Sequence, residues 1–162
     1  GFINMNTNTE TYGTHDDAHV ALDFCIRLSR AHAVVSKRLD NVLSGLHGLS
    51  FADFMILYYL EHAPNAKLRR VDLAERLGLT ASGVTRSLLP LEKSGLVLRQ
   101  SDEKDARVGY AALTEAGRQL LSDALISARV VAQESTELAS ADQIATLAFL
   151  LGRLAGMNSA NS

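Results

Sequence analysis

The chain has 162 residues, 47% of them hydrophobic, which suffices for one domain with its own core or for a small domain that shares its core with a second chain. No apolar run approaches the roughly 18 residues of a membrane span, the single cysteine, Cys25, excludes an internal disulfide, and the opening "GFINMNTNTETYGTHDD" lacks the apolar stretch of a secretion signal, so a cytoplasmic protein is expected. The formal net charge is −2, but residues 67–107 hold nine Lys/Arg against six Asp/Glu, a net of +3, and the remainder a net of −5, which suggests a basic module on an acidic scaffold.

Residues 1–15 are read as a disordered lead-in, with Met5 as the native start and Gly1 to Asn4 as a tag remnant. From Asp16 the apolar residues Ala21, Phe24, Leu28, Ala31, Val35, Leu39, Val42 and Leu46 recur at helical spacing, and Gly48 ends the run. Ser50 is a good N-cap for a second helix, "FADFMILYYLEHA", stopped by Pro64. The stretch "NAKLRR" reads as a short link to "VDLAERLGLT", a small helix with Gly78 placed where the chain turns left-handed. Thr80 then caps "ASGVTRSLLPLEK", and two short helices joined by a tight glycine turn make a helix-turn-helix.

At 100° per residue, Val84, Leu88 and Leu91 form the inner side of that second short helix, with Ala81 close by. Ser82, Arg86 and Lys93 lie opposite, with Thr85 on one flank and Glu92 as the only carboxylate. Such a face suits a polyanion. Pro90 also falls outward; it removes a backbone donor and clashes with the carbonyl four residues back, which a mild bend relieves.

The alternating "LVLRQ" and "VGYAAL", joined by the polar "SDEKDAR", predict a β-hairpin directly after the recognition helix, the wing of a winged helix. Thr114 caps "EAGRQLLSDALISARVVAQESTELA", and Ser140 with Gln143 forms a capping box for "ADQIATLAFLLGRLAGM". That last helix is apolar at Ile144, Leu147, Ala148, Leu151, Leu154 and Ala155. The predicted fold is mainly α with a small β-hairpin wing: a winged helix-turn-helix at residues 50–113, flanked by helical dimerisation segments at 16–48 and 114–157. These outer helices are too long to pack on one winged helix, so a homodimer is expected.

The recognition-helix turn that carries Thr80, Ser82, Gly83, Thr85 and Arg86 is expected to enter the major groove of double-stranded DNA, where its free N–H groups favour phosphate and Arg86 could pair with a guanine edge. Lys93, Arg69, Arg70 and Lys104 are expected phosphate contacts. Neither a glycine-rich phosphate loop nor an oriented Ser/His/Asp set is present, so no enzyme and no cofactor are expected. His15 and His19 in "HDDAH" have the spacing of a metal-gripping pair, yet no histidine follows His62 to complete a site, so no metal is expected either.

The stretch "VDLAERLGLTASGVTRSLLPLEKSGLVLRQSDEKDARVGYAALTEAG", Val71 to Gly117, resembles the MarR family of bacterial transcriptional regulators. The resemblance rests on "DLAERLGL", on "TRxLxxLExxGLV", on the Asp-x-Arg of the wing and on "LTEAG"; Pro90 departs from the pattern. It implies a triangular homodimer whose two winged helices straddle an inverted-repeat operator, commonly as a repressor released by a small aromatic or phenolic ligand. It also implies that Arg107 enters the minor groove, held by Asp105 through a charge-assisted hydrogen bond.

A ligand pocket is expected where the first two helices meet the wing base, with Arg27, His32, His47, Phe51 and Tyr58 as its lining. Cys25 carries the alternative of a redox-sensing repressor, because some members sense peroxides through a cysteine near the start of the first helix. Its face mates are Ser29, His32 and Ser36, none a cation close enough to acidify it, and a buried structural cysteine is expected instead. A winged helix used as a protein-interaction module is the other alternative.

Overall fold

The computed structural model describes residues 10–157; the expected tag remnant and residues 5–9 of the lead-in lie outside them. The elements run α1 (Glu10–His47), α2 (Phe51–His62), β1 (Lys67–Arg69), α3 (Arg70–Leu77), α4 (Ala81–Lys93), β2 (Val97–Ser101), β3 (Gly109–Leu113), α5 (Glu115–Thr136) and α6 (Ala141–Leu154). Two compact units divide the chain, one up to Lys37 and one from Arg38 onward.

The first unit is the N-terminal part of α1. The helix starts at Glu10, six residues before the expected Asp16, within the stretch read as a disordered lead-in. No residue from Asp16 to Lys37 is buried, and Val20, Leu22, Phe24 and Ile26 stand exposed.

The second unit holds the core. Gly48 at φ +62° ends α1, as expected, and Leu49 N–H turns back to the Leu43 carbonyl at 3.3 Å. Ser50 caps α2 by accepting from Asp53 N–H at 3.1 Å, while Asp40 accepts from Phe51 N–H at 2.9 Å, so two side chains fix the entry of α2. The core is built from Leu43, Leu49, Phe54, Leu57, Leu60, Leu73, Val84, Leu88, Leu91, Val97 and Leu121, contributed by every element around the winged helix. Of the apolar positions that recur along α1, Phe24, Val35 and Leu46 are exposed, while Leu43 is fully buried, because the end of α1 turns its Leu39–Leu43 side into the core rather than the side carrying Leu46.

The expected two-stranded wing is a three-stranded antiparallel sheet in the order β1-β3-β2. Part of the link "NAKLRR" is a strand, with Lys67, Leu68 and Arg69 opposite Ala112, Ala111 and Tyr110. Three residues with one buried side chain carry too little alternation to announce a strand. On the other side of β3, Val97 pairs with Leu113 and Ser101 with Gly109.

Thr114 caps α5 from Gly117 N–H at 3.0 Å and donates to the Gly95 carbonyl at 2.6 Å, which ties the start of α5 to the end of the recognition helix. The Ser140–Gln143 capping box opens α6 as expected. No residue of α6 is buried, and Leu147, Phe149, Leu150, Leu151 and Leu154 are exposed. Among the described residues no helix is long and apolar enough to cross a membrane.

Candidate nucleic-acid interface

The turn between α3 and α4 is closed by Gly78 at φ +65°, with Leu79 N–H bonded to the Ala74 carbonyl at 2.9 Å. Thr80 Oγ1 then accepts from Gly83 N–H at 3.1 Å. Val84 N–H begins the ordinary helical ladder on the Thr80 carbonyl, so the amides of Ala81 and Ser82 stay available to an outside acceptor. No acidic residue sits in the first turn of α4 to compete for its positive end.

Val84, Leu88 and Leu91 are buried and Ser82, Arg86 and Lys93 exposed, the two-sided helix read from the sequence. Among the described residues Arg86 has no side-chain partner, which leaves its guanidinium free to fork onto a base edge or a phosphate. Pro90 is exposed, and α4 continues past it to Lys93.

Two of the side chains expected to contact DNA have partners within the chain. Arg70, expected on phosphate, is a strut: its guanidinium donates to Glu92 Oε1 and to Thr85 Oγ1, each at 3.2 Å, with only 13% of its side chain exposed. It neutralises the one carboxylate of α4 and fixes the recognition helix to the start of α3. Thr85 spends its single hydroxyl proton on the Ala81 carbonyl at 3.1 Å, so that hydroxyl is no free donor for DNA. Position alone suggested both roles; the cause is the closeness of the start of α3 to the middle of α4. Arg69 remains exposed, paired bidentately with Asp72 at 3.0 and 3.3 Å.

The wing tip is built around two aspartates. Asp105 accepts from Arg107 N–H and Nε–H, both at 3.0 Å, and from Nη2–H at 3.1 Å. Arg107, its side chain 91% exposed, is thereby held outward as a stiff projection, with Lys104 exposed three residues before it. The Arg107 side chain, and then its backbone N–H, lower the pKa of Asp105 below the usual carboxylate value.

Asp102 was missed. Its Oδ1 accepts from Lys104 N–H at 2.7 Å and Asp105 N–H at 3.1 Å, and its Oδ2 from the Tyr110 hydroxyl at 3.3 Å. These bonds, that from Lys104 foremost, lower its pKa. An aspartate two residues before a polar turn is the signal that could have found it. Tyr110 is in turn covered by Lys67 Nζ at 4.9 Å from the ring centre, a contact that depends on the unforeseen β1.

The expected ligand-lining residues divide between the units. In the first, Arg27 pairs with Asp23 at 2.7 Å and His32 meets Ser36 at 3.2 Å, all exposed. In the second, His47 Nε2 meets Ser127 Oγ at 2.8 Å across α1 and α5. Phe51 and Tyr58 belong to an aromatic ladder along α2, Phe51–Phe54–Tyr58–His62, with ring centres 6.2, 6.2 and 4.1 Å apart. Cys25 is exposed, where a buried thiol was expected, since no side chain is buried anywhere along that part of α1. Among the described residues no three His, Cys, Asp or Glu side chains gather as metal ligands, and the side chain of His15 lies outside them.

The MarR family model matches residues 47–108, from the end of α1 to the wing tip. The chain is 26% identical over 138 residues, 85% of its length and 92% of the relative's, to the HTH-type transcriptional regulator MhqR of Bacillus subtilis. It is 35% identical over 75 residues, 46% of this chain and 47% of the other, to the uncharacterized HTH-type regulator YkoM of the same organism. Among solved structures it resembles BldR of Sulfolobus solfataricus with a TM-score of 0.72 at 29% identity, covering 82% of this chain and 95% of that one. It also resembles a mutant MarR of Escherichia coli complexed with operator DNA, with a TM-score of 0.70 at 26% identity, covering 85% and 96%. These relatives are transcriptional regulators, and the part of this chain from the end of α1 through the recognition helix to the wing tip is similar to the MarR family of transcriptional regulators.

Proposed function

We propose that the protein binds double-stranded DNA as a homodimer and represses transcription from an inverted-repeat operator until a small aromatic or phenolic ligand releases it. The observation that carries the DNA reading is the outward face of α4: Ser82 lies exposed in a first turn with two open amides, Arg86 and Lys93 lie exposed beyond it, and the only carboxylate of the helix is neutralised by Arg70. The braced Arg107 supports it as a second reading head, suited to a minor groove. The similar MarR structure holds operator DNA.

Residues 50–113 are the DNA-binding domain in this reading, and 16–48 with 114–157 the dimerisation region. The dimer is supported by the exposed apolar side chains of α6 and α5, among them Leu147, Phe149, Leu151, Ile126 and Val130, which a single chain leaves in water. Ligand release is supported by the aromatic ladder of α2, which offers Phe51 and Tyr58, both half-buried, as stacking surface.

Binding of the full chain to operator and to random duplex, measured at several salt concentrations, tests the proposal. Arg86→Ala is expected to weaken operator binding by about 1–3 kcal/mol and to relax one base position. Lys93→Ala is expected to weaken all sequences alike and flatten the salt dependence by about one unit of slope. Wild-type behaviour from both variants would favour a winged helix that docks on protein instead.

A further inference from the structure

One side chain on the outward face of α4 does not fit a surface made only for phosphate. Leu89 is 46% exposed, one turn beyond Thr85 and Arg86 and one turn before Lys93. It is not needed inside, where Leu88 and Leu91 on either side of it already fill the core. Thr85 lies four residues earlier on the same flank, within side-chain reach. Its hydroxyl proton is held by the Ala81 carbonyl and one lone pair by Arg70, so it has no donor left to offer and its methyl group is its apolar contribution to this flank.

A strip of Thr methyl and leucine beside a row of Ser82, Arg86 and Lys93 needs a partner surface that is polar along one line and apolar along the next. On the floor of the major groove the one apolar group is the C5 methyl of thymine, and it stands beside the hydrogen-bonding edges. We propose that Thr85 and Leu89 are specificity-determining residues that read two thymine methyl groups in each half-site, next to the base pair read by Arg86. This rests on the DNA-binding reading above and adds to it a base preference.

The test begins with the full-length protein and a library of duplexes with a randomised central segment, from which a bound sequence is selected. In that duplex each thymine is replaced singly by deoxyuridine, which removes the methyl and keeps every hydrogen bond, and affinity is measured by fluorescence anisotropy. Wild type is expected to lose about fourfold at two thymine positions of a half-site, the affinity that burial of one methyl carries. Leu89→Ala should be indifferent to deoxyuridine at one of them. Thr85→Ser, which keeps the hydroxyl bonded to Arg70 and Ala81, should be indifferent at the other. An unchanged melting temperature shows that the exposed Leu89→Ala variant is folded. If the wild type binds a selected duplex but no deoxyuridine weakens it, or if both variants lose as much as the wild type at the same positions, the thymine assignment is wrong and the DNA reading stands. If no duplex is bound in a salt-dependent way, the DNA reading fails and takes the assignment with it.

Discussion

Gly117 is the position where one added carbon should be felt most. It sits buried in the first turn of α5, and a Cβ there would overlap the carbonyl oxygen of Leu96 and lie 2.7 Å from Leu113 Cδ1. The first of these contacts is with backbone, so no rotamer change relieves it; α5 must back away from the strand that enters the wing. That displacement strains the 3.2 Å bond from Thr114 N–H to the Leu96 carbonyl and the 2.6 Å bond from the Thr114 hydroxyl to Gly95. Overpacking costs about 1–3 kcal/mol, and a weakened hydrogen bond about 1 kcal/mol more. Replacing glycine by alanine within a helix returns about 1 kcal/mol. Gly117→Ala should therefore destabilise by about 2 kcal/mol, a fall in melting temperature of about 4–8 °C for a chain of this length. Scanning calorimetry at one fixed protein concentration measures it, since a dimer's melting point shifts with concentration. A variant that melts at or above the wild type would refute the close approach of α5 to Leu96. A destabilised variant should also bind DNA less well, because the same junction fixes the wing and the recognition helix to α5, the first helix of the proposed C-terminal dimerisation segment.

Truncation after Ala139 removes α6, and because every buried apolar side chain lies at or before Val131, the winged helix should still fold. Sedimentation should find it monomeric or aggregating, with operator affinity reduced to that of one half-site; a soluble truncated dimer with full affinity would refute the role of α6. The wing tip should respond to acid. The folded pKa values of Asp102 and Asp105 are lowered, so their contribution to order at the tip is complete above the unfolded aspartate value of about 3.9 and is lost as pH falls through the lower folded values. Carboxyl carbon NMR should show both titrating below 3.9, with amide protection of Lys104 and Asp105 lost over the same range, and ordinary midpoints would remove the bracing of Arg107.

Much of this protein can be read from local chemistry. Gly48, Ser50, Gly78, Thr80, Thr114 and Ser140 all mark helix ends where they were expected, because a cap is an interaction between residues a few positions apart and needs no tertiary partner. The two-sided recognition helix was legible for the same reason, since a period of 3.6 places Ser82, Arg86 and Lys93 opposite Val84, Leu88 and Leu91 whatever surrounds them. The pairing of Asp105 with Arg107, two residues apart, also needs no distant neighbour. What only the folded chain decided involves groups far apart in sequence. Arg70 meets Glu92 across 22 positions, and the solvent-facing cation of a linear reading becomes a largely covered strut that also binds the hydroxyl oxygen of Thr85. Lys67–Arg69 becomes a strand because β3, over 40 residues later, supplies the hydrogen bonds that three residues cannot supply for themselves. Leu43 rather than Leu46 enters the core because packing against neighbouring helices, not periodicity, chooses which side of an evenly apolar helix is covered. Local bonds leave a trace at short spacing in the sequence, while the meeting of distant segments depends on the sum of many weak contacts that no window of residues contains.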